Sequence, residues 1–341
     1  MSTLFYVLGV LLLLFAPLLP GLLELYQKTD IAALGIDRLH TGNANAFAAN
    51  YRSRVSALDS DLVNKDWNAR FAELQSEMRP TVTEEVLAQG SLRIPAGFNC
   101  LQEVYCNGDV STGMGVVLRS VLADGELSLG EDSSILRWAG AQRINAAAGC
   151  ALFGRVVAEQ TLCIDGPVSF QRIQAPTILL GREGLMAASP SSAPAPGQEV
   201  DICSLPNILF YNSAMRRVVV AGDFTLPEHS LLRGNLVVRG QLHIGDGCYI
   251  DGSIKAAGMV YLGCQVTITG SVISDQSVLC QSDCRIAGPI VADRQLSIAA
   301  GSVLGKPDAP SSLSSRFVLL KLPLVVHGTV WARTRGKVLS L

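Results

Sequence analysis

The sequence predicts an all-β solenoid, a right-handed triangular β-helix with turns of about 18 residues, carrying an N-terminal transmembrane helix and a short helical arm. Three observations point there. Glycines recur every 18 residues at Gly234, Gly252, Gly270 and Gly288, with others at Gly222, Gly240 and Gly258. Within that period apolar residues recur every six, as in Leu236, Leu242, Cys248, Ile254, Val260, Val266 and Val272. Leu4 to Leu25 forms an almost unbroken apolar run.

Taken in order, residues 1–29 read as a membrane anchor, because about 20 apolar residues are what a helix needs to cross a bilayer. Met1-Ser2-Thr3 lacks a basic residue and Pro17–Tyr26 lacks a small-x-small cleavage site, which argues against a cleaved leader. Lys28 and Arg38 follow the span and no basic residue precedes it, so the expected location is the inner membrane, single-pass, with the C-terminal bulk in the cytoplasm.

Residues 30–89 form the expected helical arm, with a stripe of Phe47, Tyr51, Val55, Leu58 and Leu62 continued by Trp67, Phe71, Leu74 and Met78 until Pro80. Its expected role is to cap or space the solenoid. Residues 90–181 read as a first, less regular coil in which Trp138, Ile144, Cys150, Val156, Leu162 and Val168 fall six apart. Residues 182–216 read as an insert or linker, rich in Pro and Ser at 187–197.

Residues 217–305 form the regular coil. A strand of four or five residues cannot bury its apolar face alone, and stacking turns about 4.8 Å apart lets the side chains merge into one core. The corner glycines Gly234, Gly252, Gly270 and Gly288 are expected to supply positive φ and to avoid a Cβ clash. Left-handed hexapeptide coils share the period but favour small residues at the second inward position. Ile, Leu and Val stand there in this chain and lean towards the right-handed form, which the period alone does not decide. Residues 306–341 are a basic strand or tail segment: Ala309 to Leu341 holds five Lys and Arg and no acidic residue.

The nine cysteines show no disulfide or metal-ligand spacing and suit small inward slots in a reducing compartment; no metal or cofactor is expected. A net charge of −2 gives no electrostatic footprint for nucleic acid. Neither a phosphate-binding Gly-Lys loop nor a Gly-x-Ser-x-Gly elbow is present, and the coil histidines His229 and His243 read as surface residues, so no catalytic residue is expected. An acyltransferase or a polysaccharide-acting envelope enzyme is the competing class, and it would need one of those histidines as a base.

Asp223-Phe-Thr-Leu-Pro-Glu-His-Ser-Leu-Leu-Arg-Gly-Asn-Leu-Val-Val-Arg-Gly-Gln-Leu-His-Ile-Gly resembles the opening of a bactofilin domain, and Ser91-Leu-Arg-Ile-Pro-Ala-Gly is similar to the same entry turn. The bactofilins are bacterial polymer-forming cytoskeletal proteins. The resemblance covers 217–305 well and 90–181 loosely. It implies a right-handed β-helix that polymerises end to end without a nucleotide, beneath the inner membrane, as a scaffold for envelope-synthesis or cell-shape proteins. The candidate self-association residues are those at the coil ends: Val218, Val220, Phe224 and Leu226 at the start, and Ile290, Leu296, Ile298 and Leu304 at the finish. Two coils, an insert, an arm and an anchor depart from the family pattern.

Overall fold

The computed structural model of the protein describes residues 46–56, 65–75, 80–181 and 197–340, together with Phe15. The chain divides into Met1–Ala44, where only Phe15 is described, and Asn45–Leu341, to which everything below belongs. Apart from Phe15, the expected span Leu4–Leu25 lies outside the described residues. Among the described residues no helix is long and apolar enough to cross a membrane.

From Arg217 to Ala292 each strand has two to four residues and pairs in parallel with the third strand after it, so three strands make a turn and the coil has three faces. Partners lie 18 positions apart: Val218 opposite Leu236, Leu236 opposite Ile254, Ile254 opposite Val272, Val272 opposite Ile290. Strands such as Leu242–Ile244 and Ile254–Ala256 alternate buried, exposed, buried, so two side chains per strand enter the bore. Burying an aliphatic side chain there contributes about 1.5–3 kcal/mol, and stacking makes the core continuous. That core runs from Trp67 to Val338 without a break.

The corners have two separate chemistries. One column, Gly234, Gly252, Gly270 and Gly288, is glycine because successive turns touch: a Cβ on Gly270 would collide with the Gly252 carbonyl, and one on Gly288 with that of Gly270. Gly270 and Gly288 do not take up positive φ, so that part of the expectation fails for them. The left-handed column lies elsewhere, at His229, Gly247, Gln265, Asp283 and Gly301, each 18 residues on, with φ of 56°, 66°, 58°, 63° and 78°. Side-chain oxygens tie the corners along the axis, as where Asp223 accepts from the Gln241 N–H at 2.7 Å and Asp246 from the Cys264 N–H at 2.8 Å.

The first coil starts earlier than residue 90: Thr81 already pairs with Asn99 and Val86 with Val104. Its turns shorten by a residue at register shifts, so that Asn99 opposes Val117 but Glu103 opposes Ser120. Such a shift between Leu118 and Ser120 changes the phase at Trp138, which faces outward while Ala139 is buried. Later strands, Ser134–Ala146, Ala151–Ile164 and Val168–Leu180, run around a corner without interruption.

The two coils form one sheet. After Leu304 a short excursion stretches the register, so that Ile290 pairs with Leu313 and Val303 with Val325. The coil then ends in Ser311–Lys321 and Leu324–Leu339. This last strand pairs antiparallel with Val168–Leu180, the last strand of the first coil: Val168 opposite Val338, Ile173 opposite Val330, Leu180 opposite Leu324. The coils therefore meet finish to finish.

Candidate functional site

The expected site was a pair of open coil ends, and each end must satisfy its strand edges or leave them unpaired. At the start of the first coil, α1 (Ala46–Ser56) and α2 (Trp67–Leu74) do different work. Asp66 accepts from the Ala69 N–H and caps α2, whose Trp67 and Phe71 are buried in the core, with Phe71 edge-on to Phe98 at 5.0 Å. Asn68 mimics a strand partner: its amide nitrogen donates to the Ser91 carbonyl at 3.0 Å and its oxygen accepts from the Arg93 N–H at 2.9 Å. The end is plugged. Beside α2 lies a cavity of about 690 Å³ lined by residues such as Gln75, Arg93, Asp109 and Ser111. By contrast α1 lies on the flank, where Ala48, Tyr51 and Val55 pack on Leu87 and Leu122, and Arg52 bonds Asp124 at 2.6 Å. Of the remaining stripe, Leu58, Leu62 and Met78 fall outside the described residues.

At the start of the regular coil, Val218, Val220, Phe224 and Leu226 are all buried. Strand Ile208–Asn212 covers the first two in an antiparallel hairpin, with Tyr211 opposite Val218 and Ile208 opposite Val220. Gln198–Val200 covers the next face by pairing with Ser230–Leu232, and Ile202 and Leu205 join the core. Part of the expected linker 182–216 is thus a cap, while 182–196 lies outside the described residues. At the supposed finish, Ile290, Leu296, Ile298 and Leu304 are fully buried and followed by further strands: Leu296 pairs with Val318 and Leu304 with Val326. They are corrected from end residues to interior ones, because the segment after Asp308 supplies another full turn.

The cap itself is apolar on its outer side. Leu209, Phe210, Tyr211 and Met215 are 61%, 54%, 38% and 64% exposed, and Ile208–Asn212 pairs with a single strand among the described residues. Three exposed large side chains on one edge strand, with a fourth in the turn that follows it, are the pattern that natural edges ordinarily avoid. Sequence reasoning missed them because 208–215 carries no six-residue step.

His229 is exposed at the left-handed corner column, and His243 stacks on Tyr261, one turn on, at 4.5 Å. Among the described residues no three His, Cys, Asp or Glu side chains gather as metal ligands do. Four of the six buried cysteines instead donate their thiols to carbonyls of the previous turn: Cys106 to Gly90 at 3.0 Å, Cys150 to Gly130 at 3.3 Å, Cys248 to Pro227 at 3.0 Å and Cys284 to Gly263 at 3.2 Å. Burial pushes the Cys100 and Cys284 thiols up to about 12 and Cys150 to about 11.

The fold and its ends define this chain as a β-solenoid protein. Comparison with protein-family models, with curated proteins and with solved structures yields no match.

Proposed function

We propose that the protein is a membrane-anchored, self-associating scaffold of bactofilin-like type, organising envelope-synthesis or cell-shape proteins at the inner membrane. The observation that carries this reading is the exposed apolar edge of the cap, Ile208–Asn212 with Met215 beside it, at the start of the regular coil. An unpaired strand edge bearing Leu209, Phe210 and Tyr211 gains most by pairing with a second copy about a two-fold axis, burying both edges at once. Association then runs through the cap, since the strand ends of both coils are plugged or joined. Supporting the reading further, the stacked strands of each coil face offer repeated surfaces on which clients can be arrayed.

The test is sedimentation of the full-length chain in mild detergent. The wild type should sediment as a dimer or larger, and Phe210→Lys with Leu209→Asp should yield a monomer with unchanged circular dichroism. A monomeric wild type at tens of micromolar sinks the scaffold reading. For location, a fluorescent tag fused after Leu341 should light up in the cytoplasm, and strong activity of an alkaline phosphatase fused there would reverse the topology.

A further inference from the structure

Across the seam, four neighbouring strands carry Trp138, Arg155, Arg172 and Trp331 directly opposite one another, one per strand. This ladder faces outward. Phe47 of α1 stacks on Trp138 at 6.5 Å, Arg155 lies 5.2 Å from the Phe47 ring centre, and Arg172 lies 5.6 Å from that of Trp331. Together with Arg137 these side chains line a groove of about 360 Å³.

The charge in this groove is unbalanced. Arg333, at its rim, bonds Asp293 at 2.9 Å, but among the described residues Arg137, Arg155 and Arg172 have no carboxylate within salt-bridge distance. Arg172 Nε is buried without a hydrogen-bond partner. Burial, and then the adjacent Arg155, press the Arg172 guanidinium below its ordinary pKa. Two half-buried guanidinium groups on adjacent strands repel each other, and an anion accepting a forked pair of N–H donors from each would remove both penalties.

We propose that this seam groove binds an acidic oligosaccharide, its carboxylate or phosphate held between Arg155 and Arg172 and its neighbouring sugar rings laid on Trp331 at one side and on Phe47 and Trp138 at the other. The spacing selects the class. Trp138 and Trp331 are three strand steps apart, about 14 Å, too far for one ring to touch both. A free anion would leave both aromatic platforms empty. A single-stranded nucleic acid carries a phosphate at each unit and is held by an unbroken stripe of free cations, whereas of the groove's Arg137, Arg155, Arg172 and Arg333 the last is already held by Asp293, and aromatic side chains stand on the two outer strands. Because tryptophan and phenylalanine faces suit the apolar faces of sugar rings, the ladder reads as ring, anion, ring. This inference is independent of the scaffold reading and holds on either side of a membrane.

The experiment is a titration of the full-length chain, in mild detergent, with a galacturonic acid hexamer, followed by tryptophan fluorescence. Saturable quenching is expected, weakened at least tenfold in Arg172→Gln and in Trp331→Ala, with circular dichroism unchanged. Arg172→Lys should recover little, because a lysine offers no fork. A neutral glucose hexamer should bind at least tenfold more weakly. No saturation up to millimolar hexamer, equal affinity for inorganic phosphate, tighter binding of a thymidine decamer, or undiminished binding by both variants would each overturn the proposal.

Discussion

His327 holds its Nδ1 3.2 Å from the carbonyl oxygen of Pro176 and 3.3 Å from the Thr177 hydroxyl, joining the last strand of one coil to the last strand of the other across the seam. A carbonyl can only accept, so when Nδ1 carries the proton it donates to Pro176, and in the other tautomer Nδ1 accepts from the Thr177 hydroxyl. The imidazole is buried, as are Ile173 and Val330 opposite each other nearby. Two solenoids that would each end in an open edge instead close one another.

Breaking the seam should therefore separate the coils. A charge in the middle of it, Ile173→Asp or Val330→Asp, is expected to cost about 3 kcal/mol or more, since a buried carboxylate there has no partner. Urea denaturation followed by circular dichroism should change from one transition to two, and a single transition at the wild-type midpoint would contradict the seam as a cooperative joint.

The connection 182–196 must reach from Gly181, beside the seam, to Gly197, at the far end of the regular coil. From Glu199 the ladder passes through Leu231, Tyr249, Thr267, Arg285 and Val303 to Val325, six steps or about 29 Å. Fifteen residues reach roughly 50 Å when extended. Deleting 187–196 leaves five residues and a reach of about 17 Å, too short for the seam to close within one chain. The deletion is expected to give swapped dimers or aggregates by light scattering, whereas a Gly/Ser replacement of equal length should behave as wild type.

At the corners the two columns should respond in opposite ways. Gly270→Val forces a Cβ into the Gly252 carbonyl and should destabilise by about 2 kcal/mol. Gln265 is exposed at φ 58°, so Gln265→Gly relieves about 1–2 kcal/mol of left-handed strain against about 0.5–1 kcal/mol of added backbone entropy, for a net gain near 0.5 kcal/mol. Thermal melts decide it: a lower melting temperature for Gln265→Gly, or an unchanged one for Gly270→Val, would refute the assignment of the columns.

Thiol chemistry should follow depth. Cys203 is exposed, while Cys100, Cys106, Cys150, Cys248, Cys280 and Cys284 are buried. With Cys100 and Cys284 titrating near 12, they remain protonated at pH 8. Iodoacetamide on the folded protein is expected to label Cys203 first and the six buried thiols only after urea is added. Mass spectrometry showing Cys284 alkylated as fast as Cys203 would mean that the coil opens readily.

Much of this architecture was legible along the chain, because a repeat writes its geometry into spacing. Val218, Leu236, Ile254, Val272 and Ile290 fall 18 apart and stack in that order. Less was legible where spacing drifts. Trp138 fits a six-residue step yet faces outward, since a bulge upstream changes the phase, and the left-handed column hid because His229, Gln265 and Asp283 occupy glycine-like corners. The cap residues Leu209 and Phe210 carry no period, and although Trp138, Arg155 and Arg172 fall 17 apart, Trp331 joins them only through the antiparallel seam.

By itself the sequence determined the solenoid and, in the regular coil, its 18-residue turn and its inward residues, because these depend on contacts between neighbouring turns at a fixed separation along the chain. The tertiary structure decided where the coils end. That Ile290, Leu296, Ile298 and Leu304 are interior, that α2 plugs one end, and that Val338 lies beside Val168 depend on contacts between distant segments. Strand edges and apolar bores must be covered by something, and which segment covers them is set by the free energy of competing long-range pairings, for which the chain carries no local mark.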